Sequence, residues 1–148
     1  MKYRGKFKPK NPHKYVGDVK NIVYRSGWEL STFIWCDNHQ DILEWSSEEF
    51  FIPYRCSTDN KIHRYFVDLK IKFAKGQVYI IEIKPRCQLF PPTRGRKREK
   101  TFLNEMFQYH KNVSKWNQAQ KYAESRGWIF QIWHEDILKK LGVKILTG

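Results

Sequence analysis

The stretch HRYFVDLKIKF, followed by AKGQ and VYIIEIKP, restricts the fold more than any other part of the chain. In a strand, successive side chains alternate between faces. Val67, Leu69, Ile71 and Phe73 are therefore expected on one face, with Phe66, Asp68, Lys70 and Lys72 on the other. AKGQ reads as a turn and VYIIEIKP as the returning strand of a hairpin. That second strand is almost continuously apolar, which suits a central position covered on both faces. Glu82 and Lys84 interrupt it near its end and, being two residues apart, share a face.

The flanking segments supply layers for this hairpin. RSGWELSTFIWC predicts a helix, with Ser26 as cap, Glu29 three residues later and an apolar stripe of Leu30, Phe33 and Ile34. Asp41 to Arg55 predicts one or two short strands broken around Ser46–Glu49, with Pro53 at an edge or strand end. RCQLFPPTRGRKREK reads as a loop entering a helix near Arg98. Helical spacing then runs through Phe102, Met106, Tyr109, Val113, Trp116 and Ala123, as one helix or as two meeting near Asn112 with Ser114 as the second cap. Gly127 ends it, WIFQIW forms another strand, and EDILKKLG a short helix ending at Gly142. The order implies an α/β fold with a mixed central sheet flanked by helices. Trp28, Trp45, Trp116, Trp128 and Trp133 are expected in the core or at element edges.

A chain of 148 residues suits one domain, assigned to residues 21–148, preceded by a basic arm over residues 1–20 that is extended and partly mobile when free. Lysine and arginine total 28 against 15 acidic residues, a net charge of +13 that attracts polyanions, nucleic acid foremost. No apolar run reaches the ~18 residues of a membrane span. The basic N-terminus is followed by no apolar signal core, and three scattered cysteines indicate neither a disulfide framework nor a cysteine zinc site. A cytoplasmic location follows as an expectation.

The hairpin also carries chemistry. Pairing about AKGQ brings Asp68 towards the Glu82 end of the sheet, so two carboxylates and the Lys84 amine converge. Phosphodiester hydrolysis needs a hard cation, oxygen ligands to hold it and a positioned water. Asp68, Glu82 and the Ile83 carbonyl supply oxygens, and Lys84 orients water or stabilises charge on the phosphate. All-oxygen ligation favours Mg2+, with Mn2+ able to substitute. The plainer reading makes these three residues a solvated ion-pair cluster on an exposed sheet face.

FVDLKIKF followed by VYIIEIKP resembles the PD-(D/E)xK nucleases, and the likeness spans roughly Arg25 to Trp133. RSGWE together with SRGWIFQIW resembles the branch containing transposon-end endonuclease subunits, and the chain's size and basic character resemble head-completion nucleases of tailed phages. The resemblance implies a restriction-endonuclease-like core and metal-dependent DNA cleavage, with Asp68, Glu82 and Lys84 at the matching core positions. Val67 stands where the name-giving proline is common, a position without catalytic chemistry. It also implies that Glu29 joins the metal site, although Ser26-x-x-Glu29 equally forms a capping box.

Arg86, Arg94, Arg96, Lys97, Arg98 and Lys100 follow the Glu-x-Lys strand directly and are expected to contact DNA phosphates, which positions a duplex without reading its sequence. His63, Lys115 and Gln118 are accessory candidates. The leading function is a DNA endonuclease, trimming or processing DNA ends, with phage head or recombination proteins as partners. The competing one is a non-catalytic DNA-binding assembly protein, and RNA processing is a third.

Overall fold

The computed structural model describes residues 4–144. In chain order the elements are β1 (Gly5–Lys6), β2 (Val23–Tyr24), α1 (Gly27–Asn38), β3 (Ile42–Ser46), β4 (Phe51–Arg55), β5 (Ile62–Phe66), β6 (Leu69–Phe73), β7 (Val78–Ile83), α2 (Glu99–Arg126), β8 (Ile129–Trp133) and α3 (Glu135–Lys140). Four strands form a mixed sheet in the order β3-β6-β7-β8, antiparallel except for the parallel β7–β8 pair. The helix α2 supplies the long crossover that a parallel pair requires. This is the mixed α/β architecture expected of a restriction-endonuclease-like core.

Two apolar cores lie on opposite faces of β7, because its side chains alternate. Ile81 joins Phe33, Trp45, Leu69, Ile71, Trp133 and Leu138 on the α1 side. Ile80 joins Ile52, Tyr65, Val67, Trp116, Ala119 and Ala123 on the α2 side. The central placement expected for VYIIEIKP is therefore observed. Trp45, Trp116 and Trp133 are buried, while Trp28 and Trp128 are half-buried against these cores.

One strand expectation needs correction. HRYFVDLKIKF is two strands, β5 and β6, broken at Val67–Asp68, and β5 pairs with β4 in a separate two-stranded sheet. The break has a local cause: the Asp68 carboxylate accepts from the Ile83 amide at 2.8 Å, replacing the backbone partner that a continued ladder would provide. The chain turns there, so Val67 packs on the α2 side and Leu69 on the α1 side, not on a shared face.

The helical region is a single 28-residue helix without a joint. Asn112 is buried within it and accepts from Gln108, and the Ser114 hydroxyl donates to the His110 carbonyl instead of capping a new helix. Gly127 closes α2 at φ 70°, a left-handed conformation that glycine adopts without Cβ strain.

The expected extended arm is instead packed. Among its described residues, β1 pairs with β2, and Phe7 meets Phe33 and Trp45 edge-on. Tyr15 is buried against Trp45. The Lys14 amine reaches the end of α1, donating to the carbonyls of Cys36 (2.7 Å), Asp37 (3.0 Å) and His39 (2.8 Å). The Asp37 carboxylate accepts from the amides of Lys10 and Asn11 in return. Cations in this segment read as solvated arm residues, yet Lys14 satisfies helix carbonyls that would otherwise be unpaired. Residues 1–3 of that segment lie outside the described residues.

Candidate active site

The end of β7, the β5–β6 break and the first turn of α1 border one cavity of about 550 Å3. Its lining includes Arg25, Glu29, Asp68, Glu82, Ile83 and Lys84. Glu29, Asp68, Glu82 and Lys84, chosen from the sequence as a set, therefore meet in space.

Each carboxylate is held differently. One oxygen of Asp68 is fixed by the Ile83 amide. Glu82 is only 7% exposed, and one of its oxygens accepts a hydrogen bond from the Tyr65 hydroxyl. Its other oxygen lies 3.8 Å from the Lys84 amine. Glu29 fulfils half of the expected capping box: its amide donates to the Ser26 hydroxyl at 3.1 Å. Its carboxylate accepts from the Arg25 amide at 3.2 Å, not from Ser26, so it is turned towards the cavity.

Burial raises the pKa of Asp68 well above its ordinary value, and the nearby charges of Glu82, Glu29 and Glu48 raise it further. Glu82 is also raised by burial, against the hydrogen bond from Tyr65 and the positive charges of Lys84 and Lys115. Glu29 is raised by burial, with Glu48 and Glu82 adding repulsion against the Arg25 amide bond and the Arg25 charge. Acidic groups whose ionised forms are disfavoured by one another are a site that a cation relieves. Glu29, Asp68 and Glu82 offer only oxygen donors, and among the described residues one oxygen each of Asp68 and Glu82 has no hydrogen bond, which fits a hard divalent ion. Ile83 lines the same cavity, its peptide fixed through Asp68.

Lys115 comes from α2 to this site. Its amine lies over the Tyr65 ring at 5.5 Å, and burial lowers its pKa while the charge of Glu82 opposes that shift. Gln118 is half-buried one turn further along α2, and does not line the cavity. His63 is directed elsewhere: its ring bonds to Asp59 at 2.7 Å on the β4–β5 ribbon. In the basic loop, Arg94, Arg96, Arg98 and Lys100 are exposed. Arg86 and Lys97 are exposed too, and they pair with Asp136 (3.0 Å) and Glu105 (2.9 Å).

Sequence reasoning passed over Tyr65, Arg25 and Glu48. The Arg25 guanidinium pairs with Glu48, and both charges act on the carboxylates. Tyr65 carried no signal in the sequence, because in one unbroken alternating strand it would share the face of Val67, opposite Asp68.

Two comparisons with known proteins give matches over most of the chain. A family model described as TnsA-like endonuclease N terminal matches residues 39–135, which include Asp68, Glu82 and Lys84. The head completion nuclease of Enterobacteria phage T4 is 44% identical over 148 residues, covering 97% of this chain and 99% of that protein. Among the described residues, no helix is long and apolar enough to cross a membrane. By the extent of both matches, the chain belongs to the TnsA-like N-terminal endonuclease family.

Proposed function

We propose that this protein is a Mg2+-dependent DNA endonuclease that processes DNA ends during phage head completion, with Mn2+ able to substitute. The observation that carries the reading is the convergence of Glu29, Asp68, Glu82 and Lys84 on one cavity at the end of a rigid central strand. The 44% identity to a protein named for head completion supports the biological setting, and phage head proteins are the partners that follow from it.

Glu29, Asp68 and Glu82 are the residues that hold the metal, with the Ile83 carbonyl as a further oxygen donor. Bound there, the ion supplies charge stabilisation at the phosphate. Tyr65 fixes the orientation of Glu82 through its hydroxyl. Lys84, 24% exposed and close to Glu82, reaches into the cavity to orient the attacking water or hold a phosphate oxygen. Hydrolysis forms a bond from that water oxygen to phosphorus and breaks the bond to the leaving deoxyribose oxygen. Lys115 adds positive charge from α2, and Gln118 adds a polar group on the same helix. Arg94, Arg96, Arg98 and Lys100 neutralise phosphates beside the cavity, with Arg86 and Lys97 joining once released from their ion pairs.

The test is cleavage of supercoiled, linear and branched DNA with Mg2+, Mn2+ or EDTA, comparing wild type with Glu82→Ala. Metal-dependent cleavage by wild type alone is expected. Equal DNA binding by both proteins without cleavage under any metal condition overturns the reading in favour of a DNA-holding assembly protein.

A further inference from the structure

A second cluster of metal-ligating side chains lies on the β4–β5 ribbon, away from the carboxylate cavity. Cys56, Asp59 and His63 present one sulfur, one oxygen and one nitrogen, all within 4.8 Å of one another. None of the three lines the cavity that holds Asp68 and Glu82. We propose that this cluster is a second metal site, taking a borderline-soft divalent cation of the Zn2+ or Co2+ type through the Cys56 thiolate, the Asp59 carboxylate and the His63 imidazole.

The turn is built to hold the three ligands together. The Cys56 amide donates to the Lys61 carbonyl at 2.9 Å, and the Asn60 amide donates to the Cys56 carbonyl at 2.8 Å. Asn60 takes a left-handed conformation at φ 58°, one that asparagine tolerates better than most residues and that closes the turn tightly. One Asp59 oxygen is occupied by the Lys61 amide at 2.9 Å, which aims the other at His63. The turn is also pinned to α2, since the Ser57 amide donates to the Ser114 hydroxyl at 3.2 Å.

The ligands are complementary in exposure. Cys56 is 1% exposed and unpaired with any other cysteine, its sulfur 2.9 Å from the Thr58 hydroxyl. Asp59 and His63 have side chains 38% and 39% exposed, so an ion enters from solvent and a water completes a four-coordinate shell. A tetrahedral site with ordinary zinc bond lengths separates its ligand atoms by roughly 3.3–3.8 Å. The Asp59–His63 pair, now at 2.7 Å, opens to admit the ion, while the other ligand atoms already lie within 4.8 Å. Sulfur and imidazole nitrogen select Zn2+ or Co2+ here, whereas the all-oxygen cavity favours Mg2+.

Binding replaces the Asp59–His63 hydrogen bond with two metal bonds and converts the Cys56 thiol to thiolate, releasing its proton to solvent. The imidazole binds through Nε2 and carries its proton on Nδ1.

The experiment is a Co2+ titration of the full chain carrying Cys87→Ser, which removes the exposed thiol as a competing ligand. One equivalent of Co2+ is expected to give a thiolate-to-cobalt charge-transfer band and visible ligand-field bands of tetrahedral intensity, both displaced by Zn2+. Cys56→Ser removes the charge-transfer band, and Glu82→Gln leaves it in place. Asp59→Asn and His63→Asn, at side chains exposed enough to leave the fold intact, each weaken Co2+ binding at least tenfold. No charge-transfer band at saturating Co2+, a band that survives Cys56→Ser, or parental affinity in both exposed-ligand variants overturns the proposal.

Discussion

Replacing Tyr65 with phenylalanine tests the site through a residue absent from every motif. The change deletes one oxygen from a side chain only 3% exposed and leaves the packed ring in place. What is lost is the hydrogen bond to Glu82, one to a charged group, which contributes about 1.5–3 kcal/mol when both partners are present. For a domain of this length that corresponds to a fall of about 3–12 °C in melting temperature. The sign with pH is fixed by Tyr65 favouring the ionised carboxylate and so lowering the Glu82 pKa. The variant's deficit is therefore full where Glu82 is charged and shrinks by about half as pH falls and the bond becomes neutral. Metal affinity or cleavage should fall by about 10–100-fold, the usual cost of losing a partner that orients a ligand. The assays are thermal melts from about pH 4 to about pH 8, a double-mutant cycle with Glu82→Gln, and cleavage titrated against Mg2+. An unchanged melting temperature at neutral pH, or additive effects in the cycle, refutes the reasoning.

Asp68→Asn keeps an acceptor for the Ile83 amide but removes a charge whose folded-state pKa is raised above 3.8. Wild-type stability without metal is lost as pH rises through that raised pKa, so the variant should abolish cleavage yet melt higher than wild type, by a margin that widens with pH in EDTA. Changing Arg94, Arg96, Arg98 and Lys100 together to glutamine should reduce the slope of log affinity against log salt by up to about 3.6 for duplex DNA, at about 0.9 per phosphate contact. A slope unchanged within error removes the loop from the interface. Lys14→Met leaves three carbonyls at the end of α1 without their donor, and a loss of about 3 kcal/mol in urea unfolding is expected. A loss below about 1 kcal/mol shows that water satisfies them equally well.

The parts legible in sequence were those governed by periodicity. Alternation in VYIIEIKP located the central strand, and its two charges located the site, because Glu82 and Lys84 are bound by the same two-residue geometry as the core around them. Asp68 was legible as a participant but not as the cause of a break, since its bond to Ile83 crosses between strands. Tyr65 was hidden for a related reason: its partner is 17 residues away and reached only after the ribbon turns. The basic segment misled because charge density says nothing about where an individual amine ends. Lys14 is buried on helix carbonyls, and Tyr15 beside it joins the core. The single long helix shows the converse, with polar Asn112 tolerated mid-helix because Gln108 bonds to it one turn earlier.

The parallel pairing of β7 with β8 has a consequence for synthesis on the ribosome. β7 ends at Ile83, yet its second neighbour begins only at Ile129, after the whole of α2. Until that last strand emerges, the strand bearing Glu82 is an open edge with unpaired backbone groups, a template for association with other chains. Folding of the cavity wall is thus deferred until α2 and β8 have both been translated. A nascent chain that stops within α2 carries all four candidate catalytic residues but lacks the strand that holds two of them in place.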